Sequence, residues 1–192
     1  MFQLQIGSES FQKLADFPLE LGNYTEYQQA ALRFCREWLS GNDFFDQQSS
    51  GSTGTPKTIQ ITRQQMFASA LATGEFFKVT DNTLLLCCLN PAYIAGKMML
   101  VRAMVWNNSV RLIAPSSNPF IDISPDQIPS FAALAPYQVH TILEHPESLQ
   151  KLKRVSNIII GGAPLNDLVK KTLVSQKIKA FQTYGKIGRA HV

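Results

Sequence analysis

The chain has 192 residues, 45% of them apolar and 17% charged, and its 18 Lys and Arg outnumber 14 Asp and Glu for a formal charge of +4. That length suits one ordinary domain or a large piece of a bigger one, and the apolar share excludes a disordered tail or a coiled coil. The basic residues are scattered, densest at Lys151, Lys153 and Arg154; they read as a solvated face, so no nucleic-acid partner is expected.

In chain order, residues 1–11 show neither the basic start nor the apolar stretch of a signal peptide, which implies a cytoplasmic protein. Thr25 and Gln28 make a capping-box pair that opens a helix. Ala31, Leu32, Cys35, Trp38 and Leu39 recur on one face of it, and Gly41 is its stop. Phe44 and Phe45 begin a short strand that leads into a polar run through Lys57. Residues 58–62 alternate with period two and predict a strand. Thr62 with Gln65 then opens a second capped helix through Phe77.

After a turn at Asp81 and Asn82, residues 84–89 predict a buried strand holding Cys87 and Cys88. With Cys35 these make three thiols, none at metal-ligand spacing, and they read as reduced core residues of a cytoplasmic protein. A helix is predicted over 94–106; Lys97 and Arg102 interrupt it, so it falls short of the ~18 apolar residues of a membrane span. A strand follows over 110–114, and Ser124-Pro125-Asp126-Gln127 predicts a short helix. Next come a strand over 139–143, a helix over 146–152 and a buried strand at 158–160 that runs into Gly161-Gly162-Ala163-Pro164. Asn166 caps a helix to 176, and a last strand covers 180–183. Such strand–helix alternation predicts an α/β fold, a mainly parallel sheet with helices on both faces.

The densest chemistry lies in Ser49-Ser50-Gly51-Ser52-Thr53-Gly54-Thr55-Pro56-Lys57: five hydroxyls, two glycines, one lysine and no acidic side chain. Glycines let successive backbone N–H groups turn toward an anion, hydroxyls add rotatable donors, and Lys57 adds a compact positive charge that acts on phosphate rather than as a base. By composition this is a polyphosphate cradle; the competing reading is a flexible Ser/Gly linker. A P-loop is excluded, because Pro56 stands where its second glycine belongs and Lys57 runs into a strand instead of a helix.

These residues resemble the phosphate loop of the adenylate-forming superfamily. In the same order, Gly161-Gly162-Ala163-Pro164 resembles its adenine-pocket turn and Thr183-Tyr184-Gly185 the start of its Tyr-Gly-x-Thr-Glu motif. Residues 90–103 resemble the acid-pocket segment of o-succinylbenzoate–CoA ligases of menaquinone synthesis, with Tyr93 where many relatives carry histidine. The resemblance implies two steps: a carboxylate attacks the α-phosphorus of ATP, releasing pyrophosphate, and coenzyme A thiol then displaces AMP. It implies ATP, Mg2+ and coenzyme A as ligands, a small carboxylic acid as substrate, and nucleotide contacts at residues 49–55, 57, 161–164, Tyr184 and Gly185. On the acid side it implies Tyr93, Gly96, Lys97 and Arg102, of which one basic side chain would meet the carboxylate and the other solvent.

After Gly185 the family's Thr and Glu are missing, and no metal ligand is assigned within the chain. Residues 186–192 match an in-frame translation of a sequencing adapter and are expected to be non-native. Residues 1–185 are accordingly expected to be part of a large N-terminal AMP-binding domain without its C-terminal lid, and inactive alone. The alternatives are another fatty- or aryl-acid–CoA ligase, or a non-catalytic nucleotide-binding module. Oligomeric state is left open.

Overall fold

A computed structural model describes residues 1–48 and 58–183. The chain opens with two short strands that the periodicity left unassigned. β1 (Gln3–Ile6) and β2 (Glu9–Phe11) form an antiparallel hairpin that turns through Gly7, at a φ of +58°. Helix α1 (Glu26–Leu39) starts at the Thr25 cap, where Gln28 Oε1 accepts from Thr25 N at 2.9 Å, and ends beside Gly41 at a φ of +94°. Of its predicted face Ala31, Leu32, Cys35 and Trp38 are buried, together with Phe34, and Leu39 is partly buried.

Strands β3 (Phe44–Gln48) and β4 (Thr58–Thr62) pair antiparallel as a separate two-stranded sheet, with Gln48 opposite Thr58. Helix α2 (Arg63–Phe77) follows at once; Thr62 Oγ1 accepts from Gln65 N at 3.1 Å and Gln65 Oε1 from Thr62 N at 2.9 Å, the reciprocal cap read from the sequence. Then come β5 (Leu85–Cys87), α3 (Ile94–Val105), β6 (Ser109–Leu112), β7 (Phe131–Leu134), α4 (Pro136–Glu144), α5 (Pro146–Leu152), β8 (Asn157–Ile160), α6 (Asp167–Ser175) and β9 (Ala180–Gln182).

The main sheet has seven strands in the order β2-β1-β6-β5-β7-β8-β9, parallel throughout except for β2. Alternation along the strands divides the core in two. Leu85 and Cys87 of β5 face a cluster completed by α1, α2 and α3, whereas Leu86 and Cys88 face one completed by α4, α5 and α6. Each fully buried Leu or Ile contributes about 1.5–3 kcal/mol to these layers, which is why β7 and β8 read as continuous apolar runs.

Two sequence expectations fail. Residues 139–143 are not a strand but the body of α4: Pro136 occupies its first turn, Gln138 Oε1 accepts from Ala135 N at 2.9 Å, and Val139 and Ile142 enter the second core at helical spacing. The strand of that region is β7, eight residues earlier in its start. Residues 124–127 form a turn, not a helix, closed by Gln127 N donating to Ser124 O at 2.9 Å. Pro129 ends any helical continuation there, because it pushes Ile128 out of the helical region and has no N–H to give.

Candidate functional site

Strands β5, β7, β8 and β9 run in one direction, so their carboxyl ends, continued by Cys88, Ala135, Gly161 and Thr183, meet at one edge of the sheet. From β5 the chain passes through α3 to β6 on one side; it resumes at β7 on the other side of β5. The helices after β5 and after β7 therefore lie on opposite faces, and the gap between these two strand ends is the position where α/β sheets collect ligands.

Gln138 staples this gap. It is 0% exposed, its amide N donates to Ser116 O at 2.8 Å and Cys88 O at 3.4 Å, and its oxygen holds the first turn of α4. The sequence reading missed it, although a Gln three residues past Ala135 and behind a proline was a usable capping signal.

One strand over, Gly161 N donates to Leu134 O at 3.1 Å, and Thr183 N donates to Ile160 O at 2.8 Å. A Cβ on Gly161 would sit 2.6 Å from Thr183 Oγ1, and Gly162 has a φ of +95°. Gly162 is required by its backbone angle and Gly161 by the Thr183 hydroxyl beside it, and with Ala163 and Pro164 they leave an open turn beyond β8. Tyr184 and Gly185, next along from Thr183, lie outside the described residues, as do residues 49–57.

The two strands that flank residues 49–57 are described. Gln47, 2% exposed, donates from Nε2 to Ala92 O at 3.3 Å, and Lys97 Nζ donates to Asp46 O at 3.0 Å. The far end of the β3–β4 hairpin therefore rests on the turn that follows β5. Its near end is fixed by Arg63, which donates to Trp38 O and, at 2.8 Å, to Asn42 O while stacking over the Trp38 ring at 4.3 Å.

The acid-side residues separate. Tyr93 is the exposed N-cap of α3, and its N donates to Asn90 O at 3.0 Å. At Gly96 a Cβ would meet Asn90 O at 2.5 Å, so only glycine lets α3 lie this close to the end of β5. Lys97 turns away to the hairpin; burial pulls its ammonium below the ordinary lysine range, against the opposing pull of Glu37 and Asp46. Arg102 goes inward instead of meeting solvent. Its Nη1 reaches only Met99 Sδ at 3.6 Å, its buried Nε has no partner, and burial lowers its pKa to about 10, still protonated at neutral pH.

An open groove of about 410 Å3 lies between α1, the hairpin and residues 91–92, with Phe34, Asp46 and Lys97 in its wall. None of the residues 161–164 lines it, so it is distinct from the strand-end crevice. The thiols are inert by burial: Cys35 and Cys87 are pushed far above the usual range and Cys88 up to about 12. Among the described residues no cluster of His, Cys, Asp or Glu is arranged to hold a metal ion, and no helix is long and apolar enough to cross a membrane.

A mainly parallel α/β sheet with a glycine turn at its strand ends defines the class of α/β domains that collect ligands at that edge. Within that class the chain belongs to the AMP-binding enzyme family, whose model matches residues 27–186. It is 33% identical to an acyl-CoA synthetase (AMP-forming)/AMP-acid ligase II-like protein from Dyadobacter fermentans, whose structure matches with a TM-score of 0.79 over 91% of this chain and 50% of that one. It shares its fold with O-succinylbenzoate coenzyme A synthetase from Bacillus subtilis in complex with ATP and magnesium ion, at 22% identity and a TM-score of 0.64 over 73% of this chain and 29% of that one. A 2-succinylbenzoate–CoA ligase from Staphylococcus aureus is 22% identical over 138 residues, 71% of this chain. The chain spans 28% of the length of that relative. The architecture is the N-terminal part of the adenylate-forming fold.

Proposed function

We propose that the chain carries the nucleotide and acid sites of an acid–CoA ligase that makes an acyl-adenylate and passes the acyl group to coenzyme A. The observation that carries this reading is that the Gly161-Gly162 turn and the end of β5 open at one edge of the sheet, while the far end of the β3–β4 hairpin rests on the turn that follows β5. ATP would lie across that edge. Gly161 and Gly162 would let its adenine approach the backbone, with Ala163, Pro164, Tyr184 and Gly185 around it. The backbone and hydroxyls of Ser49, Ser50, Gly51, Ser52, Thr53, Gly54 and Thr55, with the charge of Lys57, would hold the phosphates.

In the first step an acid oxygen attacks the α-phosphorus and pyrophosphate leaves with the bond electrons. In the second, the coenzyme A thiol attacks the acyl carbonyl and AMP leaves. The protein's part is positioning and charge stabilisation at the phosphates, with no covalent bond to a side chain. Bound Mg2+ supplies further neutralisation of phosphate oxygens. No described residue is assigned to it.

We propose o-succinylbenzoate as the acid. Its two carboxylates suit a site in which one is activated and the other meets a cation, and Arg102 is a half-buried cation whose buried Nε has no partner and which has no carboxylate beside it among the described residues. The names of the succinylbenzoate ligases among its relatives support the same choice. The test is acid-dependent ATP–pyrophosphate exchange by the Dyadobacter fermentans relative and by the same enzyme carrying residues 1–183 of this chain in place of its own. Exchange fastest with o-succinylbenzoate in a panel of fatty and aryl acids is expected. A clear preference for a monocarboxylic acid by the exchanged enzyme would refute the substrate; no exchange with any acid, from a folded protein, would refute the reaction.

A further inference from the structure

We infer that Lys97 is a positioning residue: it ties α3 to the far end of the β3–β4 hairpin, so that helix and hairpin are held as one body. The hairpin is no part of the seven-stranded sheet, so its placement depends on side-chain ties and packing instead of a strand ladder. At its near end Arg63 and the stacked Trp38 and Phe45 rings fix it to α1. At its far end the Lys97–Asp46 carbonyl bond and the Gln47–Ala92 carbonyl bond run in opposite directions across the same seam.

The choice of lysine is informative. Half-burying an ammonium costs stability that a Met or Leu would not, and no described carboxylate forms an ion pair with it. Its ammonium donates to a main-chain carbonyl of the hairpin and lies 5.8 Å from the centre of the Phe34 ring of α1, contacts that fix position instead of neutralising a charge. The consequence for catalysis rests on the ligase reading: α3 carries the acid-side residues, and a fixed spacing between them and the hairpin keeps acid and phosphate in register.

The test is hydrogen exchange followed by mass spectrometry on the whole chain as wild type, Lys97→Met and Lys97→Arg. In Lys97→Met, peptides over β3 and β4 are expected to exchange about tenfold faster, the loss of one charge-assisted hydrogen bond, while β5 and β7 keep their wild-type protection and the melting temperature does not fall. Lys97→Arg, which keeps a cationic donor, is expected to restore at least half of the lost protection. Unchanged exchange in the hairpin would overturn the inference. So would acceleration or unfolding throughout the sheet, because a tether is dispensable to the core, or Lys97→Arg behaving like Lys97→Met. No nucleotide or acid enters this measurement, so it fails or succeeds independently of the exchange assay.

Discussion

Arg102 is half-buried with its guanidinium offered a thioether and no acid. A buried cation without a partner is a standing cost to the fold, and a ligand carboxylate is the group that would relieve it. In the exchanged enzyme Arg102→Met is therefore expected to raise KM for the acid by about tenfold or more, the worth of a charge-assisted hydrogen bond, while KM for ATP changes far less. Equal rises in both constants would disconnect Arg102 from the acid. The same substitution in the isolated chain is expected to leave the urea midpoint unchanged or raised. Lys97 adds a pH signature. Its folded pKa lies below the ordinary 10.5, so between those two values the unfolded chain binds more protons, and stability rises with pH across that window. Lys97→Met is expected to flatten that rise in urea titrations carried up to pH 10.5.

Gly161 makes a sharper prediction at the same scale. Its Cβ would press on Thr183 Oγ1, which donates to Ile160 O at 3.3 Å. Gly161→Ala is expected to cost about 1 kcal/mol, one hydrogen bond displaced, and to cost far less in a Thr183→Ala background, which has already lost that bond. A double-mutant cycle on chemical denaturation midpoints reads the coupling directly; strict additivity would mean the strain lies in the backbone and not at the hydroxyl.

At the scale of elements, the helices announced themselves where capping chemistry and periodicity agreed. Thr25 with Gln28, Thr62 with Gln65, and Asn166, whose Oδ1 accepts from Val169 N at 2.7 Å, all stand where a cap was read. The Gly161-Gly162 turn was legible too, because an apolar run ending in two glycines marks a buried strand that must stop at the surface. The elements that were missed fail for one reason: their pattern belongs to tertiary context. β1 and β2 are short elements, β2 at the edge of the sheet, whose alternation is too brief to separate from a loop. Residues 139–143 are β-branched and apolar enough to pass for a strand; the counter-signal, Pro136 with Gln138, lies just upstream, and burial against β7 and β8 settles the helix. The long-range ties Gln47–Ala92, Lys97–Asp46 and Gln138–Cys88 carry no local signal at all.

Gln138 shows what such a tie is worth to the elements it joins. Gln138→Leu would leave the buried Cys88 O and the part-buried Ala135 N and Ser116 O short of a partner. A loss of about 3 kcal/mol is expected, measured as a lower urea midpoint at unchanged m-value. A loss well under 1 kcal/mol would mean that water enters the β5–β7 gap and replaces the amide.

For the whole molecule, the telling feature is a face that the described layers leave uncovered. On α2, Phe67, Leu71 and Phe76 are 45%, 41% and 66% exposed. Phe76 and Phe77 stand edge-on to Phe181 of β9 at 5.4 and 5.1 Å, and β9 is the end strand of the sheet, paired only to β8 among the described strands. Apolar rings beside an unpaired strand edge form a sticky surface, because a second chain can bury the rings and complete the ladder together. The relatives matched above are longer, with this chain spanning 50% of one and 28% of another, so the face is one that additional chain has room to cover. The isolated 192-residue chain is accordingly expected to self-associate as its concentration rises, with weight-average mass climbing in light scattering. Leu71→Glu combined with Phe76→Lys is expected to hold it monomeric over the same range at only a small cost in melting temperature, the loss of the Phe76 ring contacts with Phe77 and Phe181. Should the wild-type chain stay monomeric throughout, the exposed α2 face and the β9 edge do not cooperate, and the assignment of that surface as an unfilled interface is wrong.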